Sequence, residues 1–300
     1  MRSVFRYIGS YIADLNRTVL AVTSLFTAIL IFINYRFGLD DKISESGTIP
    51  LFVARYLLFA VAFLGPYLFY SFFAGKNYFR IPAFVVLGLA APSFFALKTA
   101  VTVRLPFASD AVFWNKVVYW PVLLLLMFAL LTLTRALTRE KGSFYGLTTR
   151  GLDWKPYIIM LLIMVPLIAL ASTQPDFLHT YPKLQSLEGV DELALIPWWK
   201  KALFELSYGS DFLSIEVFFR GFLIIAFVKW AGKDAILPMA CFYCTIHFGK
   251  PLAECISSYF GGILLGILVY NTRSVLGGLM VHLGIAWLME IGGYIGNGLW

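Results

Sequence analysis

The stretch SIEVFFRG, Ser214 to Gly221, places a glutamate and an arginine inside an apolar run that extends from Phe204 to Trp230. Glu216 and Arg220 are four residues apart, so an α-helix would carry both side chains on one face. In a bilayer each charge costs about 2.5 to 3.5 kcal/mol unless it is paired or faces a wet cavity. The pair therefore indicates either a functional site or an internal ion pair that only fixes helix packing.

The rest of the chain has the composition of a polytopic membrane protein. Its 300 residues are 60% hydrophobic and 14% charged, whereas soluble domains average about 45–50% apolar and about 25% charged residues. The net charge of +7 fits the excess of Lys and Arg in cytoplasmic loops. It is not accompanied by a basic stripe with interleaved aromatic residues, so we expect membrane lipid as a partner and no nucleic acid.

The predicted fold is an all-α transmembrane helix bundle with about eight or nine spans, since a bilayer core of about 30 Å needs roughly 20 apolar residues of helix. The candidate spans are Thr18–Asn34, Leu51–Ala74, Pro82–Leu97, Val112–Leu133, Tyr157–Ala171, Lys201–Trp230, Ala235–Phe248, Ile256–Tyr270 and Val275–Ile291. Basic residues place the N-terminus and the loops after the second, fourth, sixth and eighth spans in the cytoplasm. We divide the chain into accessory spans with a basic loop (1–155), a fifth span with a polar extramembrane loop (156–200) and a bundle that carries the chemistry (201–292).

Two of the three histidines fall in predicted spans, His247 in the seventh and His282 in the ninth. Leucine would serve packing there as well as imidazole, so two histidines beside a Glu/Arg helix favour a shared site. Two histidines and a carboxylate can hold a divalent metal with an open position for water. Alternatively, the glutamate can act as a general base on water while His and Arg stabilise the oxyanion. Both routes lead to hydrolysis, and both stay open.

Small residues in the last part of the chain predict close packing and buried thiols. Gly262-x-x-x-Gly266 has the spacing that lets membrane helices approach each other closely. Cys241-x-x-Cys244 has the spacing of redox motifs, but these cysteines and Cys255 lie in or beside apolar segments. We therefore expect buried free thiols and no disulfide framework.

Three motifs in order carry a resemblance to a known family. Glu216-Val217-Phe218-Phe219-Arg220-Gly221, then Tyr243-x-x-x-His247, then His282 resemble the CPBP family of CAAX-type prenyl endopeptidases and bacteriocin-processing or self-immunity proteins, also called the abortive-infection family. The resemblance covers Phe204 to Met289. It implies an intramembrane endopeptidase of a bacterial inner membrane, with its site inside a helix bundle and a peptide or protein as substrate.

The resemblance also implies the residues that carry the reaction. The predicted catalytic residues are Glu216, Arg220, His247 and His282. Glu216 would activate water, with or without His247, while Arg220 and His282 would stabilise the intermediate or shape the site. If a divalent metal takes part, with zinc as one possibility, the predicted ligands are Glu216, His247 and His282; otherwise no cofactor is implied.

Two departures from the family motifs support other hypotheses. The first motif has two adjacent glutamates in the family, and here the first of them is replaced by Ile215. The third motif often has an asparagine four residues after its histidine, and here that residue is Ala286; Asn271 or Tyr243 could supply a donor instead. A non-catalytic member that binds a peptide or bacteriocin is the second hypothesis. A transporter is the third, but no inverted repeat supports it.

Overall fold

The computed structural model describes residues 2–105, 111–188 and 195–298, and this part of the chain contains helices and turns but no strand. The described α-helices are α1 (Arg2–Ala13), α2 (Arg17–Phe37), α3 (Leu39–Ser44), α4 (Thr48–Ala74), α5 (Pro82–Ala100), α6 (Ala111–Thr138), α7 (Lys155–Ala171), α8 (Pro175–Thr180), α9 (Gln185–Glu188), α10 (Trp198–Glu216), α11 (Val228–Ala231), α12 (Ile236–Thr245), α13 (Leu252–Thr272) and α14 (Leu276–Gly296). Val217–Ala226 forms a π-helix, and Tyr78–Arg80 and Gly232–Ala235 form 3-10 turns. Residues 189–194 of the predicted extramembrane loop lie outside the described residues.

Among the described residues, six helices are long and apolar enough to cross a membrane by length and composition: α2, α4, α5, α6, α13 and α14. The predicted all-α polytopic fold is thereby confirmed. The three other predicted spans correspond to shorter or interrupted helices. α7 has 17 residues and α12 has 10, while the predicted span Lys201–Trp230 is divided among α10, the π-helix and α11.

The chain divides into two compact units, and the first comprises residues 1–101, 130–151 and 217–275. Its centre is α12, in which every residue is buried and which packs against α2, α4 and α13. Phe242 of α12 lies among other aromatic rings, with centroids 4.8 Å from Phe59, 6.1 Å from Phe63 and 5.0 Å from Phe219. Rings packed at these distances contribute both buried apolar area and favourable edge contacts. The aromatic packing thus joins α4 and the π-helix to α12.

The predicted close approach at Gly262 and Gly266 is confirmed within this unit. A Cβ atom at Gly262 would lie 3.3 Å from the Cβ of Ala240, and one at Gly266 would lie 2.9 Å from the Met239 side chain. α13 therefore rests directly on α12, as the small-residue spacing predicts.

The three cysteines are free and buried, as predicted. The neighbour of Cys244 is Cys255 on α13, with the two Sγ atoms 3.8 Å apart. The redox-like spacing of Cys241 and Cys244 therefore does not reflect a contact between these two thiols; Cys244 instead packs against Cys255 where α12 meets α13.

The second unit comprises residues 102–129, 152–216 and 276–300, of which residues 106–110, 189–194, 299 and 300 are not described. α6 and α10 meet in an aromatic cluster, where Trp120 packs 5.1 Å from Phe204 and 5.2 Å from Tyr208 between ring centroids. Leu184 and Tyr294 close the same cluster. This cluster fixes the first half of α10, which leads to the candidate site at its end.

Two glycines of α14 lie where this helix packs against α7. A Cβ at Gly277 would overlap the Tyr157 ring, and one at Gly284 would lie 2.6 Å from Leu161. The two positions are seven residues apart and so share a helix face. The absence of a side chain at these two positions lets the backbone of α14 approach the side chains of Tyr157 and Leu161 on α7 closely.

Candidate active site

A hydrogen-bonded carboxylate and imidazole lie in the second unit. Glu216 is the last residue of α10, and His282 lies in the second turn of α14. Nδ1 of His282 is 2.9 Å from Oε1 of Glu216. Because an ionised carboxylate can only accept, Nδ1 carries the hydrogen and donates, which leaves Nε2 as the acceptor of the neutral ring.

The two members of this pair differ in exposure. The Glu216 side chain is completely buried, whereas the His282 side chain keeps 14% of its area exposed. Phe212, one turn before Glu216 on α10, packs edge-on against the imidazole with the ring centroids 4.7 Å apart. α10 thus supplies both the hydrogen-bond acceptor and the aromatic ring that position the imidazole, and the imidazole is the more exposed member of the pair.

The buried cation of the motif lies in the first unit. Arg220 is fully buried in the π-helix, and its guanidinium carbon is 3.8 Å from the centroid of the Tyr243 ring. This is a cation–π contact, which gains strength in a desolvated position. π-helical segments are rare and occur frequently at functional sites.

His247 lies in the turn that follows α12, not inside a helix as predicted. α12 ends at Thr245, and Nδ1 of His247 is 3.1 Å from the Tyr243 carbonyl oxygen, to which it donates. The rings of Tyr243 and His247 are 4.7 Å apart. The helix ends early because Gly249 and Pro251 follow, and a residue before proline avoids the helical conformation. Tyr243 therefore contacts both Arg220 and His247.

The sequence did not predict a set of hydrogen bonds, formed by Asn34, Asp40 and Arg55 and here called the clamp, that holds the His247 turn. Asn34 of α2 is buried, and its Nδ2 donates to the Phe248 carbonyl at 2.9 Å. The Asn34 Oδ1 accepts from the Asp40 backbone N–H at 2.9 Å, and the Asp40 carboxylate accepts from Arg55 at 2.5 Å. A polar side chain in an apolar span was the signal that could have revealed it. The clamp fixes the carbonyl next to His247.

The two alternative oxyanion donors lie in different parts of the first unit. Nδ2 of Asn271 donates to the Ile267 carbonyl at 2.8 Å, near the C-terminal end of α13. The opposite end of α13, at Cys255, is the one beside the end of α12 that precedes His247. Asn271 is therefore remote from His247, and Tyr243 is the candidate that contacts it.

A divalent metal bound by Glu216, His247 and His282 stays a prediction. Among the residues that the structure describes, no three His, Cys, Asp or Glu side chains are grouped so that they could hold a metal ion. A zinc site of the hydrolytic kind needs three protein ligands around the ion. The reaction proposed below uses the side chains of the chain alone.

The stretch from Glu216 to Arg220 contains a change of helix type. Glu216 ends α10, and Arg220 lies in the π-helix Val217–Ala226, in which hydrogen bonds run between residues i and i+5. The structure brings Glu216 together with His282 in the second unit, and Arg220 and His247 together with Tyr243 in the first. The meeting of all four residues in one pocket stays a prediction.

Comparison with known proteins bears on the same part of the chain. Residues 206–288 match the model of a family described as type II CAAX prenyl endopeptidase Rce1-like. The matched segment contains all four predicted site residues. No curated protein and no solved structure matches the chain significantly. With the apolar helices, the family match indicates an integral membrane protein.

Proposed function

We propose that this chain, whose family match supports membership of the CPBP family, is an intramembrane endopeptidase acting on a membrane-associated peptide or protein. The observation that supports this best is the hydrogen bond of 2.9 Å between His282 and Glu216. A carboxylate that holds an imidazole through Nδ1 is the arrangement with which hydrolases activate a nucleophile. Residence in a bacterial inner membrane stays a prediction from the resemblance.

In the proposed reaction, His282 is the general base. Its Nε2 accepts a proton from a water molecule while the water oxygen attacks the carbonyl carbon of the scissile peptide bond. The imidazolium that forms is stabilised by the Glu216 carboxylate, more strongly in a buried site than in water. When the C–N bond breaks, His282 returns the proton to the departing amine, leaving a carboxylic acid and a free amine as products.

This assignment revises the role predicted for Glu216. Direct activation of water by Glu216 requires access to its carboxylate, but the side chain is fully buried and one oxygen is held by His282. The accessible imidazole is better placed to meet water. Glu216 is therefore a positioning residue that sets the tautomer and orientation of His282. Stabilisation of the intermediate by Arg220 and His247 stays a prediction.

A second candidate function is peptide binding without turnover, as in a self-immunity protein. Two sequence positions favour it: Ile215 stands where the family has a glutamate, and Ala286 stands where it often has an asparagine. Both changes remove polar groups that the reaction would use. The His282–Glu216 pair would then serve only to recognise a polar group of the bound peptide.

Cleavage of defined peptides distinguishes the two functions. The purified full chain in lipid nanodiscs is incubated with fluorogenic peptides that carry, or lack, a C-terminal prenyl group, and both cleavage and binding are measured. We expect the parent to cleave and His247→Ala to be slower by at least about a hundredfold, the usual effect of losing a group that stabilises the intermediate. Tight binding without cleavage by the parent would support the binding protein instead. Equal rates for the parent and His247→Ala would remove His247 from the mechanism.

Asn34 is expected to act on the reaction through the His247 turn. Asn34→Ala removes the donor to the Phe248 carbonyl and should lower kcat about tenfold while KM stays within about twofold, because the turn loses its position but no substrate contact is lost. Thr27→Ala is the matched control, since Thr27 is also buried on α2 and its hydroxyl donates to the Thr23 carbonyl of the same helix. Equal kinetic losses in both variants would show that Asn34 only stabilises the fold.

A further inference from the structure

A cavity of about 590 Å³ lies in the first unit, at the beginning of α12 and therefore at the opposite end of that helix from His247. Its wall comes from four separate segments, represented by Tyr11 of α1, Lys76 after α4, Asp234 before α12 and Asn271 at the end of α13. These are the N-terminus and the loops after the second, sixth and eighth predicted spans. Loop charge assigns all four to the same side of the membrane, so the cavity belongs at one membrane surface.

The helix that borders this cavity has the features of an interfacial helix. α1 has 12 residues, about 18 Å of helix, which is too short to span the bilayer. It exposes Phe5 and Ile12, seven residues apart on one face, while Val4 and Tyr11 are buried on another. An apolar exposed face on a short helix inserts to the depth of the lipid headgroups. The cavity beneath α1 is therefore at headgroup level.

The charges around the cavity are balanced and paired. Lys76 Nζ is 2.6 Å from Oδ2 of Asp234, which also accepts from the Tyr78 hydroxyl at 2.6 Å. Lys233 Nζ is 2.7 Å from Oδ2 of Asp14. The Asp234 side chain, which pairs with Lys76, is 7% exposed and therefore buried. The Asp14 side chain, which pairs with Lys233, is 66% exposed, so a ligand can reach it. Two lysines and two aspartates favour a ligand that carries one charge of each sign and no net charge.

A buried tyrosine hydroxyl beside the cavity indicates that the ligand carries a hydrogen-bond acceptor. Tyr11 is 5% exposed and borders the cavity, and its hydroxyl has no hydrogen-bond partner among the described residues. Burial raises the pKa of Tyr11 well above its usual range, so the hydroxyl keeps its proton and can donate. A buried donor without a partner is unfavourable by about 1 to 3 kcal/mol, which an oxygen of the ligand would relieve.

We propose that this cavity binds the headgroup of a zwitterionic phospholipid, with the phosphate on Lys233 and Tyr11 and the ammonium on Asp14. The phosphate and ammonium replace the contact between Lys233 and Asp14, so each protein charge keeps a partner of opposite sign. Trp230 and Tyr270 also border the cavity, and such rings are typical of the headgroup level and attract ammonium groups.

Lipid titration followed by native mass spectrometry tests the proposal on the purified full chain in detergent. The probes are dioleoyl phosphatidylethanolamine, which is zwitterionic, and dioleoyl phosphatidylglycerol, which is anionic. We expect the zwitterionic lipid to bind at least tenfold more tightly, and Lys233→Ala and Tyr11→Phe each to weaken it about fivefold, as the loss of one hydrogen bond does. Lys42→Ala, an exposed lysine of α3 outside the cavity, should bind like the parent.

Three results would overturn the proposal. Tighter binding of the anionic lipid would make this an anion site. Competition by soluble phosphoethanolamine at the same concentration as the lipid would make it a site for a soluble molecule. Equal binding by the parent and Tyr11→Phe would show that the Tyr11 hydroxyl does not contact the headgroup. Tyr11→Phe keeps the ring and its packing, so it tests the proposal even if Lys233→Ala does not fold.

Discussion

Replacing His282 by alanine is expected to lower the rate of peptide cleavage by at least about a thousandfold, equivalent to about 4 kcal/mol of transition-state stabilisation. The imidazole is the more exposed member of the pair and the proposed base. Glu216→Gln should cost about a hundredfold to ten-thousandfold, because the amide oxygen can still accept from Nδ1 but carries no charge to stabilise the imidazolium.

His179→Ala is the matched control for these variants. His179 is the histidine that does not belong to the predicted site, and it is exposed on α8. Its loss should therefore leave the rate of cleavage unchanged. We expect equal rates for the parent and His179→Ala, and rates at least about a hundredfold lower for Glu216→Gln and His282→Ala, with single-turnover rates in nanodiscs as the measurement. Full activity of Glu216→Gln would mean that the carboxylate charge plays no part. Full activity of His282→Ala would reject the imidazole as the base.

Gly221→Ala is expected to destabilise the folded protein by about 1 to 3 kcal/mol, the usual cost of forcing an extra carbon into a packed interior. A Cβ at Gly221 would overlap the carbonyl oxygen of Tyr145 and lie 3.0 Å from its Cβ. The loop cannot retreat easily, because Tyr145 has a φ of 41° and the Gly146 carbonyl accepts from the Val275 N–H at 2.9 Å. A positive φ in a non-glycine residue persists only where its surroundings hold it.

Gly261→Ala provides the comparison for this variant. Gly261 also lies in a helix of the first unit, but a Cβ there meets nothing within 4 Å, so alanine should leave stability unchanged or raise it by up to about 1 kcal/mol through helix propensity. Unfolding in detergent, followed by the reactivity of the buried cysteines, measures both variants. Equal stability of Gly221→Ala and Gly261→Ala would contradict the contact between Tyr145 and the π-helix.

The parts of the site that the sequence predicted are those where a polar group in an apolar run has a high energetic cost. Glu216 and His282 were expected to share a site because neither suits a membrane helix alone, and they form a hydrogen bond. Gly262 and Gly266 were expected to bring helices together because their spacing places both on one face, and α13 rests on α12 there. In both cases local chemistry decides the outcome.

The parts that escaped prediction depend on tertiary packing. The π-helix over Val217–Ala226 changes the hydrogen-bond register within a run that reads as an ordinary helix. Asn34 resembles any polar residue near the end of a span, and its role follows only from the position of the Phe248 carbonyl, 214 residues away along the chain. Helix propensity and hydropathy contain no information about either contact.

The glycines of α14 also limit how a substrate could be admitted. Beyond Gly277 and Gly284, a Cβ at Gly292 would lie 3.1 Å from Ser172, and one at Gly293 would overlap the backbone of Tyr181. Sliding or rotating α14 would drive its neighbouring side chains into these surfaces, and packed interiors resist such displacement. The helix that carries His282 is therefore held in place by its neighbours. An opening that admits a peptide must form by movement of other segments.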